Sequence, residues 1–209
     1  MISSIEHASV VASCEYLRKL GYEIVKIPVN KEGFIDYNFL ERNIRNAIMV
    51  SVQHANNVIG TIQDLEKIGN LCKKYNVQFH TDAAQTFGKI ELDVKKMNIN
   101  MLSASAHKIG GPKGAGFLFV REGLEIEPLI FGGGQERGMR GGTENVPAIM
   151  GFAKSCELIV KLNKKKISKV RDELIKEIEK IGGKINGSKK ERLYNNIHVS
   201  FSHIDAKNI

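Results

Sequence analysis

Ser103-Ala-Ser-Ala-His-Lys108-Ile-Gly-Gly-Pro-Lys-Gly-Ala-Gly116 decides how this chain is read, because a lysine follows an apolar segment and opens a glycine-rich turn. The preceding Met101 to Ala104 fits a short buried strand. Gly110, Gly111, Gly114 and Gly116 let the backbone turn tightly before a second strand, Phe117 to Val120. Lys108 is therefore expected at a strand end, facing a pocket. A lysine in that place forms an imine with an aldehyde only when deprotonated, which partial burial favours by destabilising the ammonium form. The plainer alternative is a solvated lysine in a turn, since surface lysines far outnumber catalytic ones.

A second element lies upstream, Val77-Gln-Phe-His-Thr-Asp82-Ala-Ala-Gln85-Thr-Phe-Gly88. An apolar strand ending in an acid is a recurrent active-site layout in α/β proteins, where ligands gather at the carboxyl ends of parallel strands. An aspartate there can pair with a protonated pyridine nitrogen and keep the ring an electron sink, the protein's main electronic lever on pyridoxal phosphate. It can equally cap a helix from Ala83 onward. Taken with Lys108, the cofactor reading gains.

Around these two elements the chain alternates. Strand candidates are Glu23 to Ile27, Ile48 to Val52, Val77 to Thr81, Met101 to Ser105 and Phe117 to Val120, and helices fit Ser9 to Leu20, Tyr37 to Asn43 and Leu65 to Tyr75. The alternation predicts an α/β fold with a mostly parallel sheet and crossover helices. From about Pro147 a long helical stretch is expected, with Ile167, Val170, Leu174, Ile178 and Ile181 at helical spacing and Gly182 and Gly183 ending it. A strand over Asn196 to Phe201 then opens a smaller domain. The division expected is 1–150 for one large domain and 151–209 for a linking helix and part of a small α+β domain.

The net charge of +8 invites a nucleic-acid reading. The densest basic run, Lys161 to Lys169, is however expected on a helix with acids from Asp172 onward, which is the pattern of a solvated face. No nucleic acid or membrane partner is expected, and no apolar run is long enough for a membrane span. Cys14, Cys72 and Cys156 are widely spaced within helical patterns, which favours core packing over disulfides or a metal cluster and a reducing cytoplasmic compartment. His54, His80, His198 and His203 show no paired ligand spacing, so packing or surface roles are expected for them and no metal site. His7 precedes Val10, Val11, Cys14, Leu17 and Leu20, an amphipathic pattern that puts it in a first helical turn.

Three stretches, HTDAAQTFGK (80–89), SASAHKIGGPKG (103–114) and GGGQERGMRGGTENV (132–146), resemble the cysteine desulfurases of the NifS and IscS type, in the class V aminotransferase group of fold-type I enzymes. The third stretch favours that branch over SufS-like desulfurases and selenocysteine lyases. The resemblance runs over essentially the whole chain and about half of a complete family member. It implies pyridoxal 5'-phosphate as cofactor, with Lys108 in the Schiff base and Asp82 on the pyridine nitrogen. Gln85 and Asn57 are then expected near the phenolic oxygen, with Asn56 a weaker candidate. Ser105 and His107 are expected on the phosphate, and His7 on the ring face with a possible part in proton transfer. The same resemblance places Thr143 in the site of a partner subunit of a homodimer; without it, Thr143 is a glycine-flanked loop residue. L-cysteine is the implied substrate, and sulfur would pass to an acceptor or scaffold protein for iron–sulfur cluster or thionucleoside assembly.

The departures from the family pattern carry expectations of their own. The family's nucleophilic cysteine sits on a mobile carboxyl-terminal loop, and none of the three cysteines here is at that position. Met1 begins at the strand before His7, without the helix start that cradles the cofactor phosphate. A piece of a desulfurase that does not turn over alone is therefore expected. Two rivals stay open. One is another class V lyase or aminotransferase, and the other is a non-catalytic remnant acting as a dimerising or partner-binding piece.

Overall fold

The computed structural model describes residues 1–202. In chain order the first half contains β1 (Ile2–Ser3), α1 (Ala8–Lys19), β2 (Lys26–Ile27), α2 (Tyr37–Asn43), β3 (Met49–Ser51), α3 (Leu65–Lys74), β4 (Gln78–Asp82), β5 (Met101–Ser105) and β6 (Gly116–Val120). After these come α4 (Val146–Ile159), α5 (Lys164–Lys180), β7 (Lys184–Ile185) and β8 (Val199–Ser200). The first six strands form one sheet in the order β2-β1-β3-β4-β5-β6. Every neighbouring pair is parallel except β5 and β6, which are antiparallel from Met101↔Val120 to Ser105↔Gly116. The expected mostly parallel α/β sheet is thus present, and its one reversal follows from the short glycine-rich connection after Lys108, since parallel neighbours need a longer crossover.

Helix starts follow the chemistry of their caps. Asp36 and Asp64 side chains accept from the backbone N–H three residues on, opening α2 and α3. Leu65, Ile68 and Cys72 recur on one face of α3 and are buried against the sheet. Strand alternation does the same for β4: Phe79 and Thr81 are fully buried, whereas Gln78, His80 and Asp82 lie on the other, half-buried face. Phe79 joins Ile27, Leu40, Ile44, Val50, Val52 and Ile99 in the main core, each fully buried side chain contributing about 2 kcal/mol.

Three expectations are corrected. The single helical stretch after Pro147 is two helices, because Val160 ends α4 and the Asn163 side chain caps a new start by accepting from Lys166 N at 3.0 Å. The face that α5 buries is also rotated from the predicted stripe: Val170, Leu174 and Ile181 are exposed, and the buried residue is Ile175. Arg171 is the polar member of the covered face, its guanidinium donating to Leu193 O at 2.8 Å, a pairing that hydrophobic spacing does not register. Finally, the strand expected over Asn196 to Phe201 is short, and its antiparallel partner β7 was not anticipated. His203 lies outside the described residues.

Candidate active site

The carboxyl ends of β4 and β5 build one wall of a cavity of about 330 Å³. In the register of the pair, Asp82 stands opposite Ser103. Because side chains alternate along a strand, Ser103 and Ser105 share the half-buried face, while Leu102 and Ala104 point into the core. Asp82, Ser103 and Ser105 all line the cavity. The carboxylate of Asp82 accepts through Oδ1 from Ala84 N at 2.8 Å, closing a turn and not capping a helix. Its other oxygen makes no hydrogen bond among the described residues.

After β5 the backbone enters a 3-10 turn, Ala106–Ile109, ended by Gly110 at φ 82°, a left-handed position that favours glycine. With three residues per turn, Ala106 and Ile109 stack inward on Phe152 and are buried. His107 and Lys108 between them project outward, and both line the cavity. Lys108 is consequently exposed, which corrects the expectation of partial burial. The buried lysine nearby is Lys89, whose ammonium is pushed to a lower pKa by burial and then by the charge of Lys108.

His7 is the N-cap of α1, not part of its first turn: its Nδ1 accepts from Ser9 N at 3.2 Å. The imidazole is exposed and lines the same cavity, as do Gln85 and Asn57. Asn56 is fully engaged elsewhere. Its Nδ2 donates to Ile5 O at 2.9 Å, and its Oδ1 accepts from Val58 N and Ile59 N, so it shapes the loop that presents Asn57. The structure therefore brings together His7, Asn57, Asp82, Gln85, Ser105, His107 and Lys108. It does not bring Thr143 to them; Thr143 is exposed and lines a second cavity, of about 560 Å³, beside Phe117, Ile130 and Ile149.

Sequence reasoning passed over Ser9, Gln53 and Ser103, which also line the cavity. Strand alternation from Ser105 back to Ser103 was the available signal for the last of these. His80, assigned to packing, bridges the sheet with ring nitrogens 2.8 Å from Ser51 Oγ and 3.2 Å from Ser103 Oγ. Burial holds its pKa below the usual value, with Asp82 opposing. His54 is buried behind the site, 3.0 Å from Thr86 Oγ1, and burial pushes its pKa down to about 4. Among the described residues no group of three or more His, Cys, Asp or Glu is placed to hold a metal ion, and no helix is long and apolar enough to cross a membrane.

A pyridine ring with an aldehyde and a phosphate fits this donor set. One unengaged aspartate oxygen is available to a ring N–H, a lysine amine opens onto the same space, and serine and histidine donors stand beside it. Comparison with known proteins agrees with the chemistry. The family model described as aminotransferase class-V matches residues 1–209. The cysteine desulfurase IscS of Dictyoglomus turgidum is 43% identical over 213 residues, covering 99% of this chain and 54% of the relative. A solved NifS-like protein superposes with a TM-score of 0.93 at 38% identity, over 97% of this chain and 57% of that one. A structure described as SspA in complex with cysteine gives 0.87 at 39% identity, over 96% and 57%. The chain spans about half the length of the curated relatives it matches. Its sheet, its cavity and the match along all its residues show that it belongs to the class V aminotransferase family, whose enzymes work with pyridoxal phosphate.

Proposed function

We propose that this chain carries the cofactor site of a cysteine desulfurase that takes L-cysteine to alanine and persulfide sulfur. The observation that carries the proposal is the convergence of Asp82, Ser105, His107 and Lys108 on one cavity at the carboxyl edge of a parallel sheet, in a chain similar to IscS relatives. Pyridoxal phosphate supplies, when bound, a ring that stores the electron pair left by removal of the Cα proton. Lys108, which opens onto the cavity, would hold it covalently through Nζ and, when free, would accept the Cα proton there. The unengaged oxygen of Asp82 accepts from the ring N–H. Ser105 and His107 hold the phosphate, Gln85 and Asn57 the phenolic oxygen, and His7 covers the ring face and is available for proton transfer.

The sulfur step needs a thiolate, which breaks the substrate C–S bond, forms an S–S bond and leaves alanine; no external oxidant is required. Cys14, Cys72 and Cys156 do not suit that role. Burial pushes all three thiols up, Cys72 to about 12, so the nucleophilic form is suppressed at neutral pH. We assign the chain to a homodimer in the reducing cytoplasm that hands sulfur to an acceptor or scaffold protein for iron–sulfur cluster or thionucleoside assembly. The exposed apolar residues Leu118, Leu129, Ile130 and Ile149, which line one cavity, support the dimer, since a patch of that kind marks an interaction surface. Residues 1–150 are the cofactor-binding domain, and 151–209 a linking helical region and part of a second domain.

Borohydride reduction after mixing with pyridoxal phosphate, followed by peptide mapping, tests the site. A pyridoxyl group on Lys108 is expected, lost in Lys108→Ala; label scattered over surface lysines overturns the assignment. L-cysteine is expected to free Lys108 from trapping at lower concentration than L-serine does, and equal concentrations would overturn the substrate.

A further inference from the structure

Glu6 sits in the turn between β1 and His7 and is 9% exposed. Its Oε1 accepts from Gln53 N at 2.7 Å, across 47 residues of sequence. Its Oε2 is buried with no hydrogen-bond partner among the described residues. The same junction carries two further bonds in the same sense, from Gln53 Nε2 and from Asn56 Nδ2 to Ile5 O. The turn that delivers His7 and the loop that delivers Gln53 and Asn57 are therefore tied at one place, directly behind the cavity, and Glu6 is the acid in the knot.

We propose that Glu6 is a positioning residue for the cofactor cavity, its carboxyl locking the backbone at Gln53 to the turn before His7 so that His7 and Asn57 are held in a fixed relation. The inference rests on the reading of the cavity as a pyridoxal phosphate site. A backbone N–H left without its acceptor in a buried place is strongly unfavourable, which is why one carboxyl can set the position of a loop. The form that does this at neutral pH is the neutral acid. The charged group acting on Glu6 is Asp82 at the end of β4, an acid like itself, and Glu6 in turn raises the Cys14 thiol on α1. Burial, with Asp82 adding to it, pushes its pKa up to about 8, while the bond from Gln53 works the other way. Above that pH a second negative charge is created beside Asp82, with one oxygen unsolvated, and opening of the turn relieves it.

The test compares wild type, Glu6→Gln and Glu6→Ala by pyridoxal phosphate affinity and by native-state amide exchange at Gln53 in the cofactor-free protein. Glu6→Gln keeps an uncharged acceptor, so affinity at neutral pH within about twofold of wild type is expected. Glu6→Ala is expected to lose roughly tenfold in affinity and to expose the Gln53 amide. Wild-type protection at Gln53, corrected for intrinsic exchange, should fall from about pH 5 to about pH 8, and the Gln variant should be flat. This pH arm decides the matter even if the Ala variant does not fold. Unchanged exchange at Gln53 in Glu6→Ala, an affinity loss in Glu6→Gln as large as in Ala, or a flat wild-type profile overturns the proposal. Absence of any pyridoxyl label on wild-type Lys108 strikes the cofactor reading alone, and the exchange arm then still decides whether Glu6 holds Gln53.

Discussion

Asp82 and Ser103 face each other across β4 and β5, and the carbonyl of Ser103 accepts from Ala83 N at 2.9 Å, so the acid is anchored on both sides of its Cα by sheet geometry. His54 N adds a third restraint, donating to Asp82 O at 2.9 Å. The backbone of the acid is thus fixed from β5 and from the loop after β3, while one carboxylate oxygen remains unengaged. Rigid elements carrying a free functional atom are what a binding site requires.

Replacing Asp82 separates its two jobs. Asp82→Asn retains an oxygen able to accept from Ala84 N, so the melting temperature of the cofactor-free protein should move by no more than a few degrees. The lost negative charge removes the charge-assisted partner of the ring nitrogen, and affinity for pyridoxal phosphate should drop by roughly tenfold or more. Equal affinities in equilibrium titrations of the two proteins would show that this carboxylate does not meet the ring.

Gly69 is set against the chain in a different way. A Cβ built there would lie 1.8 Å from Met97 O, a backbone atom that cannot swing aside. Helix propensity alone would make Gly69→Ala stabilising by about 1 kcal/mol. The clash opposes that gain and is the larger effect, because α3 must separate from the turn before Ile99 to relieve it. A net destabilisation of about 2 kcal/mol or more is expected in urea unfolding; a gain in stability would mean that this contact is loose.

His54 gives the fold an acid limb. Its pKa in the folded protein is pushed to about 4, against an ordinary value of 6.5, by burial. The folded state therefore binds fewer protons than the unfolded state between those values, and the stabilisation is complete above about pH 6.5 and lost as pH falls through 4. The size is on the order of 3 kcal/mol. Urea midpoints measured from pH 7 to pH 4 should fall less steeply in His54→Asn than in wild type, and parallel slopes would refute the assignment. Glu6 acts with the opposite sign, its raised pKa costing stability as pH climbs from about 4.5 to about 8.

Much of this was legible in the amino-acid sequence because it depends on local rules. The strand ending at Asp82, the strand Met101 to Ser105 and the glycine turn after Lys108 follow from period-two alternation and turn chemistry, and the motifs place the remaining cavity residues. What stayed hidden depends on contacts distant in sequence. Glu6 reaches Gln53, Arg171 reaches Leu193, and neither pairing leaves a trace in periodicity. The exposure of Lys108 was misjudged for a similar reason: the inward stacking of Ala106 and Ile109 is set by Phe152 on α4, far along the chain.

Thr143, proposed for the site, is the residue that the single chain leaves apart from it. It follows Gly142, at φ 98°, and stands exposed on the rim of the apolar cavity formed by β6 and the start of α4, away from Asp82 and Lys108. If that face pairs with a second copy, the hydroxyl is free to serve the neighbour's cofactor, and cofactor affinity becomes linked to dimerisation. Thr143→Ala removes no side-chain hydrogen bond among the described residues, so its unfolding midpoint should match wild type, while pyridoxal phosphate affinity falls severalfold. Sedimentation should show a dimer that the cofactor strengthens in wild type and strengthens less in the variant. A monomer that binds pyridoxal phosphate equally well with either residue would refute the shared site.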